Sequence, residues 1–397
     1  MRGWETCPSV SIMKKVAIFI ILIMVCSILG AYPNLSLSQY NYDILRNMGI
    51  YLMQYKDIDM AKQIILLWML LLFAGIFTAK SKWLQTYFLW VWLCFLMINN
   101  PVSFVRFMFI LGFLILYQIA SERLTDRYIK WIYNSIAVIC LLHISLMFLQ
   151  TKGINFFYTG HGVMPLGVYG NTNNTGMLIA ICSAVLFRKW WIILFIPFLY
   201  GLCLSQALLA IVATGCGVLV WFYLKGSKKA LVGVSVAVLL LVSGYTYKYE
   251  GFNNVKNRVF NAKGENRVVH FKKIYKEIMK SPIKGYGLGH FPYIYKWMDK
   301  EIYKDQDNTT FLKPHNDTLG IAYNQGLVGL LLFLGFVFSV ILKYMKKRTE
   351  LGDIALVGFV ISIVCSMGYS IMSTTMILIT AIFLIIINNQ TEERACE

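Results

Sequence analysis

Charge is scarce in this chain, and several familiar signatures are missing. Only 14% of its 397 residues are charged, where a soluble domain carries roughly 25%, so a well-solvated globular surface is excluded. The nine cysteines are scattered, with no CxxC pair and no Cys/His spacing suited to zinc. That excludes a disulfide framework and a zinc module, and no metal site is expected. Nothing reads as a βαβ unit, so the glycines of "GYGLG" at 285–289 are not a dinucleotide fingerprint. No internal repeat relates the two halves, and the paired, broken helices common in transporters are not visible.

What the chain has in abundance is apolar sequence. Hydrophobic residues make up 58%, and the mean hydropathy is +0.62, which identifies a membrane protein. Stretches of the length needed to cross a hydrocarbon core of about 30 Å recur near 16–32, 63–79, 83–98, 102–120, 131–149, 172–187, 190–204, 207–224, 230–247, 321–342, 353–371 and 374–388. The expected fold is therefore an all-α integral membrane protein of about 12 transmembrane helices. Residues 14–31 have the outline of a signal peptide, with Lys14 and Lys15 before an apolar core. With eleven spans behind it, the segment reads as a retained first helix.

Lysine and arginine alternate with the spans. Placing the N-terminus in the cytoplasm puts 18 of them in cytoplasmic segments and 4 in short outer loops, as the positive-inside rule requires. Both termini are then cytoplasmic. Three regions follow: an N-terminal bundle over 1–247, an outward-facing loop over 248–318, and C-terminal helices with a short tail over 319–397. The loop holds fourteen basic residues against eight acidic ones, and such an excess beside a bilayer suits an anionic partner.

Within that loop, "NRVVHFKKIYKEIMKSP" predicts an amphipathic helix. Arg267, Phe271, Ile274 and Ile278 share one face, lysines occupy the others, and Ser281-Pro282 ends the run. A guanidinium on the apolar face either snorkels toward headgroups or faces a bound phosphate. Gly285, Gly287 and Gly289 allow tight turns and close backbone approach to a ligand, or a hinge. His315-Asn316 then falls at the outer mouth of a span in which Gly326 and Gly329 permit close helix packing. A histidine there either hydrogen-bonds a helix end or serves as a general base.

Other polar residues have plainer readings beside functional ones. Asp305-Gln306-Asp307 has the D-x-D form of a metal-holding turn, but in an outward loop without a nucleotide fold it reads as a solvated turn. Asp43, Asp57 and Asp59 in the first outer loop are alternative carboxylate bases. His143 reads as a helix-contact residue and His161 as part of a glycine turn. His270 and His290 stand unranked near the loop motifs.

Arg267, then "SPIKGYGLGHF", then "HNDTL" and "GLVGLLLF", resembles the bacterial O-antigen ligase and polymerase superfamily, most closely over residues 265–335. "GVYGNTNNTGMLIAI" at 167–181 is similar to the family's asparagine-containing segment at the start of a span. The resemblance implies a multi-pass enzyme of the bacterial cytoplasmic (inner) membrane with its active site on the outer face. Such an enzyme moves a glycan from undecaprenyl diphosphate to a sugar hydroxyl in surface polysaccharide assembly, with no cofactor. It implies His315 as the base and Arg267 beside the departing diphosphate. The substrate-binding set is Asn316, Gly285, Gly287, Gly289, Asn171, Asn173, Arg106 and Gln206.

Two positions depart from the family pattern. Ser205-Gln206-Ala207 replaces Ser-Arg-Gly, leaving Arg106 either to supply the missing charge or to snorkel, and Asn324 stands where many relatives have an acid. The altered Ser-Arg-Gly segment favours a polymerase over a ligase that hands chains to a lipid core. The expected partners are the lipid-linked donor, a glycan or lipid-linked acceptor, membrane lipid, and a chain-length regulator or flippase, with no nucleic acid. A flippase for lipid-linked oligosaccharide is the alternative from a different class.

Overall fold

The computed structural model describes residues 81–96, 124–154, 172–188, 192–227, 267–288, 314–368 and 376–391, with isolated positions between them. The spans expected at 16–32, 63–79, 102–120 and 230–247, and most of the 248–318 loop, lie wholly or largely outside the described residues. So do Asp43, Asp57, Asp59, Arg106, His161, Asn171, Gly289, His290, Asp305 and Asp307.

Among the described residues every regular element is helical and there is no strand. The α-helices are α1 (Lys82–Leu96), α2 (Asp126–Thr151), α3 (Thr172–Ser183), α4 (Phe195–Ser205), α5 (Leu208–Leu224), α6 (Arg267–Lys280), α7 (Asp317–Lys346), α8 (Glu350–Ser366) and α9 (Met376–Asn389). Two of them, α2 with 26 residues and α7 with 30, are long and apolar enough to cross a membrane. At 1.5 Å per residue they reach about 40 Å, more than a hydrocarbon core of about 30 Å requires. The other apolar helices coincide with expected spans but are shorter.

Capping and charge place the helix ends. The Thr349 hydroxyl accepts from Gly352 N at 3.1 Å and starts α8, with Glu350 and Asp353 in its first turn. Asn316 caps α7, which carries Asp317 in its first turn and Lys343 and Lys346 in its last. Each arrangement complements the helix dipole.

The core centres on α8, which packs against α5, α9 and α3, while α7 lies along α1. In lipid the helices gain little from excluding water, so close van der Waals fit supplies the association. Glycines provide it. A Cβ on Gly217 would lie 2.5 Å from the Ile361 side chain, and one on Gly335 would lie 2.6 Å from the Trp83 ring.

One end of the bundle is tied by polar contacts. Arg348 grips Asp353 through Nε at 3.0 Å and Nη2 at 2.9 Å, and Nη2 also donates to Leu224 O, at the end of α5, at 2.6 Å. The Tyr344 hydroxyl adds a 2.8 Å bond to Asp353. The Thr349 hydroxyl donates to Gln390 Oε1 at 2.7 Å, and Gln390 Nε2 reaches Asp126 at 3.2 Å. Arg188 Nη1 donates to Asn134 at 2.6 Å. Loops that the lysine and arginine pattern assigns to one side of the membrane thus meet at one end of the fold.

Candidate functional site

The long helix α7 is not continuous. Gly326 has φ 72 and ψ 177 in the middle of it, a conformation open to glycine and strained for other residues. A break frees the carbonyls that close the first half, and each needs another donor. The segment after α6 supplies two of them: Tyr286 N donates to Tyr323 O at 2.9 Å, and Gly287 N donates to Asn324 O at 2.8 Å. Trp90 Nε1, from α1, supplies the third by donating to Gln325 O at 2.9 Å. In return Leu327 N donates to Pro282 O at 2.6 Å. Gln325, which is buried, also donates through Nε2 to the Tyr87 hydroxyl at 3.4 Å.

This joint explains two of the glycines. Gly285 has φ 65, and a Cβ there would stand 2.5 Å from Gly326 N and 2.6 Å from Tyr323 O. On Gly326 a Cβ would run into Ile283 O. The close approach anticipated for Gly285 and Gly287 is made to the backbone of α7. Tyr286 stacks on Tyr323, with ring centroids 4.8 Å apart, and its hydroxyl donates to Glu277 O at 3.2 Å. Burial, reinforced by the charge of Glu277, raises the Tyr286 phenol above its usual range.

Helix α6 ends at Lys280, as Ser281-Pro282 predicted. Its inward face keeps the expected Ile274 and Ile278 and adds His270 and Glu277. His270, Ile274, Glu277 and Ile278 are the buried positions, and Phe271 is only half-buried. The 3.6-residue period allows either stripe, and docking against Ala322 and Tyr323 of α7 selects the one headed by His270. Arg267 is the first residue of α6, one turn before His270.

The start of α7 faces the start of α6. The rings of His270 and His315 lie edge to face at 66°, with centroids 6.1 Å apart. His315 adopts φ 52, and Asn316 follows as the cap. Asn316 Oδ1 accepts from Leu319 N at 3.0 Å, while its Nδ2 donates to Met367 O at the end of α8 at 2.9 Å. The sequence singled out Asn316 as a substrate contact, and the structure shows it fastening α7 to α8. Two helix N-termini, each the positive end of its dipole, therefore converge where the His270 and His315 rings meet.

A second set is assembled separately. Helices α4 and α5 are divided at Gln206, which caps α4 with φ 52. Gly176 of α3 packs on this elbow so tightly that a Cβ would lie 2.5 Å from Ala207 and 2.6 Å from the Ser205 hydroxyl oxygen. Asn173, exposed, is one turn earlier on α3. Among the described residues the non-glycine positions with positive φ are Gln206 and His315, both candidates from sequence. Local backbone strain of this kind gathers at functional sites.

The roles of Trp90 and Tyr87 at the α7 break were not anticipated. An indole N–H inside an apolar span needs an acceptor, a signal that says a partner exists without saying which. His143 is buried in α2, as its helix-contact reading expected. Among the described residues no cluster of three or more His, Cys, Asp or Glu is arranged to hold a metal ion.

Comparison with known proteins agrees with the resemblance. Residues 193–334 match the family model described as O-antigen ligase, a stretch that runs from α4 to the middle of α7. A Rickettsia typhi protein described as a "putative polysaccharide ligase" is 26% identical over 310 residues, covering 69% of this chain and 71% of that protein.

Proposed function

We propose that this chain, a member of the O-antigen ligase and polymerase superfamily, moves a glycan from undecaprenyl diphosphate to a sugar hydroxyl at the outer face of the bacterial inner membrane. Membership implies a glycosyltransferase-type enzyme working on lipid-linked glycans. The observation that carries the residue assignment is the meeting of the α6 and α7 N-termini, with His270 and His315 rings 6.1 Å apart and Arg267 one turn away.

In this reading the acceptor oxygen attacks the anomeric carbon with inversion and gives its proton to His315. The bond from the anomeric carbon to the diphosphate oxygen breaks, and the diphosphate departs with its lipid. Arg267 and the two helix N-termini offset the charge that builds on the leaving group, so the proposed step uses no metal. Asn173 and Gln206 line the approach of one sugar chain. The lysine and arginine alternation supports cytoplasmic termini and an outward site.

Polymerase and ligase differ only in the acceptor. The altered Ser205-Gln206-Ala207 elbow favours polymerase, while the family description and the relative's name favour ligase. The test is the length distribution of carrier-linked and surface glycan on a gel, in cells lacking the protein and in cells restored with wild type or His315→Ala. Single repeat units on the surface lipid after deletion, with a ladder restored by wild type alone, identify a polymerase. Long chains stranded on undecaprenyl diphosphate identify a ligase. Unchanged glycan in every strain overturns the enzyme reading.

A further inference from the structure

Helix α6 carries a second apolar stripe, which α7 does not cover. Tyr275 is 57% exposed and Met279 49%, and in the turn after the helix Ile283 is 65% exposed. At about 100° per residue, three sectors follow one another round the helix. Ile274 and Ile278 are buried on α7 in the first, Tyr275 and Met279 stand exposed in the second, and Lys272, Lys276 and Lys280 stand exposed in the third. Glu277 is the single acid of α6, and it is buried and held by Lys280 at 2.8 Å. No acidic side chain interrupts the lysine sector.

The fold sets this stripe at the edge of the membrane. Lys343 and Lys346 lie in the last turn of α7 and mark one border of its apolar length. A hydrocarbon core of about 30 Å, crossed at 1.5 Å per residue, then ends between Tyr323 and Gly326. The turn carrying Ile283 is fastened at that level. Pro282 O accepts from Leu327 N at 2.6 Å, and Lys284 O accepts from the Cys94 thiol of α1 at 3.8 Å. Ile283 thus sits beside chain whose exposed residues, Leu327 and Leu331 on α7 and Leu93 on α1, are themselves apolar.

An apolar stripe flanked by lysines at this depth is complementary to one kind of surface. Apolar side chains enter the boundary between headgroups and acyl chains, tyrosine favours that boundary, and lysine stems cover apolar surface while their ammonium groups reach phosphates. We infer that α6 is seated on the anionic phospholipid headgroups of the adjacent leaflet, through Tyr275, Met279 and Ile283, with Lys272, Lys276 and Lys284 on the lipid phosphates. The inference does not rest on the role given to His315 or on the glycan. It makes the bilayer the second of two surfaces that hold α6, the first being α7.

The test uses the full chain in nanodiscs, with an environment-sensitive fluorescent amino acid in place of Met279. One set of discs is phosphatidylcholine alone, and the other is an equal mixture of phosphatidylcholine and phosphatidylglycerol. In the mixed discs lipid brominated on its acyl chains should quench the fluorophore, and acrylamide in the water should reach it poorly. In phosphatidylcholine alone the emission should move to the red and acrylamide quenching should rise, because the lysines lose their phosphate partners. Quenching by acrylamide and not by bromine, in both discs, would place the stripe in water and overturn the inference. A fluorophore shielded from both quenchers would show that protein covers the stripe and would overturn it too.

The charged half has its own variant. Lys272→Gln, Lys276→Gln and Lys284→Gln together leave the Lys280 bond to Glu277 in place. In mixed discs this chain should give the signal that the unsubstituted one gives in phosphatidylcholine alone. Identical signals for both chains in both lipids would mean that the contact is apolar only, and the anionic assignment fails. The comparison of the two lipids uses one chain, so it stands however the triple variant folds.

Discussion

Gly285 and Gly326 meet backbone to backbone, so closely that a Cβ on the first would stand 2.5 Å from the amide nitrogen of the second. Through this contact the loop after α6 fills the break in α7. The half-helix that carries Asn316 is thereby fixed relative to the helix that begins at Arg267.

Gly285→Ala should therefore do more than ordinary damage, because both the positive φ and the closeness of main chain oppose a methyl group. The expected cost is at least about 2 kcal/mol, read as a lower unfolding temperature in detergent or nanodiscs. The same change at Gly153, which also has positive φ but open space around it, should cost less. Equal effects at the two sites would show that the joint is not what constrains Gly285.

Trp90→Phe keeps the ring in place and removes the donor to Gln325 O. A buried carbonyl left unmatched costs about 1–3 kcal/mol. Thermal unfolding should register the loss, and amide exchange at Leu327 and Val328 should quicken. Unchanged exchange would mean that the Gln325 carbonyl finds another donor.

His315→Ala should lower transfer by about 10²–10⁴-fold, the usual range for loss of a general base. Stability should scarcely change, since the Asn316 cap remains. Arg267→Ala should lower transfer by about 10²–10³-fold. Arg267→Lys should recover only part of that, because an ammonium lacks the two-pronged geometry a diphosphate oxygen pair accepts. Full recovery by lysine would show that charge alone is needed there.

At the opposite end, Arg348→Ala would leave Asp353 buried without its ion partner. The Asp353 side chain is 6% exposed, and its bond raises the Arg348 guanidinium above its usual range. Breaking such a pair on one side costs roughly 3 kcal/mol or more, whereas replacing both members with apolar residues of similar volume is close to neutral. Unfolding of the single and double variants checks this. Transfer per folded molecule should be unaffected in both, since the pair belongs to the other end of the bundle.

The sequence by itself determined the class of the protein. Sparse charge and long apolar runs dictate a membrane solvent, because composition accumulates along the chain whatever its folding. Arg267, His315 and the glycines of 285–289 were singled out as a candidate set from their order, and Ser281-Pro282 marked the end of α6 because proline cannot continue a helix. Only the tertiary structure decided that α7 breaks at Gly326, that Tyr286, Gly287 and Trp90 satisfy the freed carbonyls, and that His270 rather than Phe271 heads the buried face of α6 beside His315. A glycine in an apolar run reads equally as helix contact or break, and a stripe of period 3.6 tolerates a shift of one residue. Which alternative holds depends on the neighbouring helix that supplies a donor or a surface, and residues 190 or more positions apart in the chain become neighbours only in the folded protein.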